Sequence, residues 1–423
     1  MKLYNTLSRR LEELPSPPGP IRMYFCGPTV YQRAHIGNAR PFALGMWLRA
    51  WLRHRGYDAT LIHNITDIND KIYDAAPGAS AELAERAAQW YIEDTGDLGL
   101  GMPDALPRAT EAVESIVAFI EMLVEGENAY EAGGDVYFSV STDPGYGRLS
   151  RQKVENMEPE EESPLKRAPQ DFALWKATKP GEDTSWDSPW GKGRPGWHIE
   201  CSVMAEDAFG PVFEIHGGGL DLVFPHHENE LAQSLALGHD FARVWMHNGL
   251  LTRGGEKMSK SLGNDMTIRG VVDDWGREVA LMLLLSGQWR KPLDFNQGTL
   301  EQARAQLETF RNVFRSPSEP VGDWAELVAA LDDDFNTPEA LAAMHRWRDH
   351  QLLRRAFGIF GLDSIAQLEE APAELAELAA RRRDARDAKD FAEADRLRDE
   401  LAAAGWEVRD VAEPPGFQLV RRP

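Results

Sequence analysis

The sequence predicts an α/β fold: a doubly wound, Rossmann-type parallel sheet split by an insertion, then a helical bundle and a small C-terminal domain. Three observations predict it. Arg22-Met23-Tyr24-Phe25-Cys26 reads as a short buried strand, stopped by Gly27-Pro28. Ala43 to Arg53 carries apolar residues at helical spacing, Gly56 ends it, and Ala59 to Ile65 reads as a second strand. Strand, helix and strand in so short a span make a parallel βαβ unit. Beyond about Asn296 the chain becomes almost wholly helical, with no repeat at a fixed period.

The remaining elements follow in order. From Pro103 to Trp190 the pattern changes: a helix over Ala109 to Glu125, then an alternating run, Asp135 to Val140, that suits an antiparallel strand. The polar stretch Glu155 to Pro164 completes what reads as an insertion between two halves of the sheet. The sheet is expected to resume after Gly193, with Phe213-Glu214-Ile215-His216 and Val244-Trp245-Met246-His247 as strands. Gly405 to Pro423 is turn-rich and suits a small strand pair.

With 423 residues, several domains are expected. Met1 to Leu14 has no apolar stretch of a secretory signal, and Val279 to Leu285 is too short to span a bilayer. A cytoplasmic protein without a membrane role is the expectation. Two distant cysteines, Cys26 and Cys201, make a disulfide the poorer reading. The net charge of −22 argues mildly against a nucleic-acid partner, although local patches rather than net charge hold phosphates. Arg381, Arg382, Arg383, Arg386 and Lys389 form one such cluster, with Asp384, Asp387 and Asp390 interleaved. It suits either an RNA contact or a solvated helix face.

Three constellations carry chemistry. His35-Ile36-Gly37-Asn38 lies between the first strand and its helix, where backbone N–H groups receive phosphates; Gly37 admits a close approach, and His35 and Asn38 offer donors. Lys257-Met258-Ser259-Lys260-Ser261, bounded by Gly254, Gly255 and Gly263, suits a loop closing on a triphosphate. In Pro225-His226-His227-Glu228-Asn229-Glu230, the i, i+4 spacing puts His226 and Glu230 on one helix face. With Cys26 and Cys201 they make a plausible tetrahedral zinc set. His227 and Glu228 read as cap or polar-contact residues.

These segments together resemble the cysteinyl-tRNA synthetase family of class I. The resemblance rests on Cys26 to Tyr31 leading to His35 to Arg40, on Asn64-Ile65-Thr66-Asp67, and on Gly196 to Ser202. It continues through His216-Gly217-Gly218-Gly219, the His226 to Glu230 run, Trp245 to Gly249 and the lysine loop. Asp332 to Pro338 and Ala388 to Phe391 extend it over nearly the whole chain, in family order.

The resemblance implies ATP-dependent activation of L-cysteine to an adenylate and its transfer to tRNA(Cys). Cys26, Cys201, His226 and Glu230 match the family's zinc ligands, which hold the substrate thiolate. Thr66, Trp197 and His216 match residues around the cysteine pocket. Lys260 matches the ATP-binding lysine, with His35, Gly37, Asn38 and Lys257 beside the phosphates and magnesium accompanying ATP. It implies sheet halves over 1–102 and 193–250 around a connective insertion at 103–192. A linker with the lysine loop spans 251–300, and a helical tRNA- and anticodon-binding region spans 301–423. A monomer is expected. Asn38, Asn69 and Asp265 depart from usual residues, and the stretch from Pro338 to Leu362 is compact for the family. A sibling ligase that passes the same adenylate to an amino sugar is the alternative; it has no need of the basic C-terminal end.

Overall fold

The structure is a computed structural model that describes residues 1–159, 161–254, 256–257, 266–367, 370–411 and 415–421. It divides into two compact units, one of residues 1–313 and 318–363, the other of residues 314–317 and 364–423.

The first unit opens with an antiparallel hairpin, β1 (Lys2–Asn5) and β2 (Arg10–Glu13). Next come β3 (Pro20–Phe25), α1 (Ile36–His54) and β4 (Asp58–His63), a βαβ unit whose strands pair in parallel. Alternation of side chains cannot hide both faces of such a strand, so β3 is apolar on both: Ile21, Met23, Tyr24 and Phe25 are all fully buried. Helix α1 begins at Ile36, seven residues before the apolar run at Ala43 that marks it in the sequence. His35 caps it, its Nδ1 accepting from the Gly37 N–H at 3.0 Å, and Pro41 lies inside it.

Helices α2 (Asp70–Ala75) and α3 (Ser80–Gly96) lead to α4 (Val113–Glu125). Strands β5 (Ala129–Ala132), β6 (Asp135–Phe138), β7 (Phe172–Ala177) and β8 (Gly193–Pro195) then form a four-stranded antiparallel sheet. The parallel sheet resumes after α5 (Trp197–Phe209), with β9 (Val212–Gly219), α6 (Glu228–Ala236) and β10 (Phe241–Asn248). Its order is β10-β9-β3-β4, so successive crossovers leave β3 in opposite directions. The split between β3 and β9 is the switch point at which α/β sheets hold ligands.

Strands β11 (Leu251–Arg253), β12 (Glu256–Lys257) and β13 (Leu293–Asp294) form a small sheet around α7 (Ile268–Trp275) and α8 (Arg277–Ser286). The helices α9 (Gln297–Arg315), α10 (Trp324–Asp332), α11 (Thr337–Arg346) and α12 (His350–Phe360) follow. The second unit contains α13 (Ala373–Asp387) and α14 (Phe391–Ala403), with β14 (Trp406–Asp410) and β15 (Phe417–Arg421) as an antiparallel pair. No described helix is long and apolar enough to cross a membrane.

Candidate active site

The carboxyl ends of β3 and β9 open into a cleft of about 300 Å³. Cys26, His35, Gly37, Asn38, Trp197 and Asn248 all line it. Cys26 is the first residue beyond β3, and its N–H donates to the Gly217 carbonyl at 3.0 Å. The following turn needs glycine: a Cβ on Gly27 would stand 1.8 Å from the Asn64 carbonyl oxygen. Asn64 in turn accepts the Gly27 N–H through Oδ1 at 2.8 Å, which fixes where the Cys26 side chain starts.

Four donors meet at the floor. Cys26 comes from the end of β3, Cys201 from α5, His226 from the turn before α6, and Glu230 from α6 itself. The sulfurs are 3.5 Å apart, Cys26 Sγ lies 3.6 Å from Glu230 Oε1, and His226 Nε2 lies 3.0 Å from the same oxygen. Zinc bonds of ordinary length at tetrahedral angles separate S and S by about 3.8 Å, S and O by about 3.6 Å, and N and O by about 3.3 Å. The set therefore already has nearly the spacing that zinc requires.

His227 makes the polar contacts that the sequence suggests for it, and they bring it to the edge of this cluster. Its Nε2 lies 3.3 Å from Cys26 Sγ, and Cys26, His216, His227 and Glu230 form a second, overlapping donor group. That group fits a tetrahedral ion less well, since its His216–Glu230 contact of 2.7 Å is a hydrogen bond and its His227–Glu230 contact is 3.9 Å. The i, i+3 spacing of His227 and Glu230 is a signal that could have flagged it from the sequence. Glu228 does make the polar contacts expected: its carboxylate accepts from the N–H groups of Gly147, Leu149 and Ser150.

A relay of rings supports the cluster. His247 Nε2 meets His227 Nδ1 at 2.8 Å, and His247 Nδ1 meets Thr6 Oγ1 at 2.9 Å. His216 Nδ1–H donates to the Tyr24 carbonyl at 2.9 Å, and Trp197 stacks on His226 with ring centres 4.2 Å apart. Burial dominates the electrostatics. It pushes the Cys26 and Cys201 thiols up, with Glu230 adding to the shift of both. It also drives His226 and His227 well below the ordinary imidazole value and His247 down to about 3. Neutral imidazoles are ready to ligate, whereas the thiols need a cation to hold them as thiolates.

Trp197 thus forms part of the cleft wall. Thr66 and His216 are fully buried; the Thr66 hydroxyl accepts from the Asn64 amide at 3.2 Å, and His216 faces Glu230. The His35 turn is stitched to the far end of the lysine loop: Ile36 N–H donates to the Met266 carbonyl at 2.7 Å and Ile268 N–H to the Ala34 carbonyl at 3.0 Å. Lys257 closes β12, while Lys260 and Asp265 lie outside the described residues.

Comparison with known proteins shows the family of the chain. Residues 13–305 match the model of the class I (C) tRNA synthetase catalytic domain. Residues 326–362 match a DALR domain, and residues 368–421 the cysteinyl-tRNA ligase anticodon binding domain. A cysteine–tRNA ligase of Alkalilimnicola ehrlichii is 44% identical over 97% of this chain and 98% of its own. One from Symbiobacterium thermophilum is 42% identical over 100% of this chain and 99% of its own. Among solved structures, methionyl-tRNA synthetase of Mycobacterium tuberculosis with methionyl-adenylate has a TM-score of 0.60 at 14% identity. That match covers 82% of this chain and 89% of the other, and it speaks for the fold alone.

Proposed function

The chain belongs to the cysteine–tRNA ligase family and is an ATP-dependent enzyme that activates cysteine and charges tRNA with it; from that premise we propose how its residues divide the work. Cys26, Cys201, His226 and Glu230 hold a zinc ion at the cleft floor. Zinc there supplies a Lewis-acid site with a preference for thiolate over hydroxyl, which separates cysteine from serine. The observation that carries this is the donor spacing: two sulfurs, one imidazole and one carboxylate, all buried, within 4.8 Å of one another.

Adenylation asks for no protein nucleophile. The cysteine carboxylate attacks the α-phosphate of ATP and pyrophosphate leaves, so the chain has only to align reactants and neutralise charge. We assign the phosphates, with their magnesium, to the N-terminal end of α1 and the lysine loop. His35, Gly37 and Asn38 provide donors and a close backbone approach, and Lys257 and Lys260 provide charge. The Trp197 ring, stacked on His226, closes one side of the amino-acid pocket; Thr66 and His216 brace it from behind. The segment matched to an anticodon binding domain favours tRNA as acceptor over an amino sugar. We read the chain as a monomer and as cytoplasmic; for the compartment, the support is a pair of thiols 3.5 Å apart that a less reducing compartment would oxidise.

The test is attachment of labelled cysteine to unfractionated tRNA, with amino sugars as competing acceptors. Charged tRNA at a rate unaffected by the sugars is expected. Label on the sugar and none on tRNA would replace this reading with the sibling reaction.

A further inference from the structure

Arg40 is a buried cation that has no carboxylate beside it among the described residues. Its side chain leaves the inner face of α1 two residues beyond Asn38, and the residue is 4% exposed. The guanidinium donates to three backbone carbonyls: Gly249, Leu250 at 3.2 Å, and Gln288 at 3.1 Å. Among the described residues it has no acidic partner within salt-bridge distance. Burial pulls its pKa down only to about 10, so it keeps its charge at neutral pH. A buried charge is costly unless something answers it, and carbonyl dipoles answer it only in part.

The three carbonyls place this charge. Gly249 and Leu250 form the turn between β10 and β11, and Asn248, Leu250 and Leu251 line the cleft. The turn is tightly held: Gly249 N–H donates to the Trp289 carbonyl at 2.8 Å, and a Cβ on Gly249 would stand 2.3 Å from the Lys291 carbonyl carbon. From it β11 runs towards β12 and the lysine loop. Arg40 therefore ties the helix that begins at the His35 turn to the opposite wall of the same cleft. It stands behind that wall rather than in it.

We propose that Arg40 is a positioning residue of the nucleotide site, bracing the β10–β11 wall against α1 and keeping a buried positive charge that polyphosphate answers. This rests on the reading that ATP occupies the cleft. Its distinguishing consequence is a dependence on ligand charge, since a brace alone would act on adenosine and ATP alike. A charge in a poorly screened interior acts in proportion to the charge it meets.

The experiment measures binding of adenosine, AMP and ATP, without magnesium, to the full-length wild type, Arg40→Met and Arg40→Lys. For Arg40→Met the expected loss is about ten- to hundredfold for ATP, smaller for AMP, and within about twofold for adenosine. Arg40→Lys, which keeps charge but not the planar fork, should regain most of the ATP loss. Equal losses for all three ligands, no loss at all, or a lysine variant no better than methionine would overturn the proposal. Should circular dichroism show Arg40→Met unfolded, Arg40→Lys decides: a tenfold loss of ATP in it contradicts the charge role, and near-wild-type affinities support it. A wild type that binds no ATP would instead remove the nucleotide reading beneath the proposal, a result separate from any of these.

Discussion

The donor cluster and the C-terminal arginines are opposite cases of charge in one chain. At the cleft floor, residues far apart in sequence converge without a cation among them: two thiols, imidazoles and one carboxyl group, all buried. In the second unit, residues dense in sequence disperse into local pairs. Arg382 donates to Asp410 at 2.8 Å and Arg386 pairs with the same carboxylate; Arg396 holds Glu393 and Glu400, and Arg398 holds Asp395. Arg383 reaches Asp387 and the Pro415 carbonyl. A cation with its own acid at hand has little left for a phosphate, whereas a buried set of thiol, imidazole and carboxyl donors calls for a metal. Spacing in the fold, not abundance in the sequence, marks the functional charge.

The sharpest way to break this contrast is to remove one sulfur. Cys201→Ser should lose zinc and cysteine affinity together, by at least the 10-fold or more typical of altered metal shells, while ATP binding persists. Retained zinc with normal cysteine affinity would show that the cluster is not the metal site. Glu230→Gln, which removes a charge but leaves an oxygen donor, should keep part of the metal and weaken cysteine binding; metal analysis beside cysteine titration reads both.

Removing residues 364–423 is the next largest test. The cut belongs there because residues 318–363 are part of the first unit. Cysteine-dependent pyrophosphate exchange should survive and tRNA charging should collapse. Equal loss of both would mean that the second unit serves adenylation too.

The smallest effect sharpens the view of the arginines. Asp410→Asn frees Arg382 and Arg386, so the salt dependence of tRNA binding should steepen, by up to about one unit of slope per newly engaged phosphate. An unchanged slope would place the RNA contacts elsewhere. The same pair carries a pH signature. The Arg382 hydrogen bond holds Asp410 below its ordinary value of 3.8. Its stabilisation is present above the unfolded value and is lost as pH falls through the lower folded one. The protection of amides in β14 and β15, taken relative to their intrinsic exchange rates, should therefore fall in acid in the wild type and less so in Asp410→Asn.

Much of this was legible in the sequence, for identifiable reasons. Parallel strands buried on both faces leave continuous apolar runs, so β3, β4, β9 and β10 could be read directly. The start of α1 could not, because its first turn is polar and carries Pro41; what begins it is the His35 cap, a contact that only coordinates display. The Cys26, Cys201, His226 and Glu230 set came from type and spacing, while their convergence required the β3/β9 switch point. His227 makes polar contacts, as expected, but its nearness to Cys26 depends on the same convergence and is not visible in the sequence. The i, i+3 and i, i+4 pairs of Arg396 with Glu393 and Glu400, and of Arg383 with Asp387, follow from helical spacing, whereas the Arg382 and Arg386 pairs with Asp410 were invisible because Asp410 lies on β14, away from α13.

The measurement that tests the central claim most directly is zinc content together with X-ray absorption of the folded protein, with and without saturating cysteine. The account predicts one zinc per chain with two sulfur neighbours, and one added sulfur when cysteine binds. A folded, active protein without zinc, or a zinc shell that cysteine leaves unchanged, would contradict it.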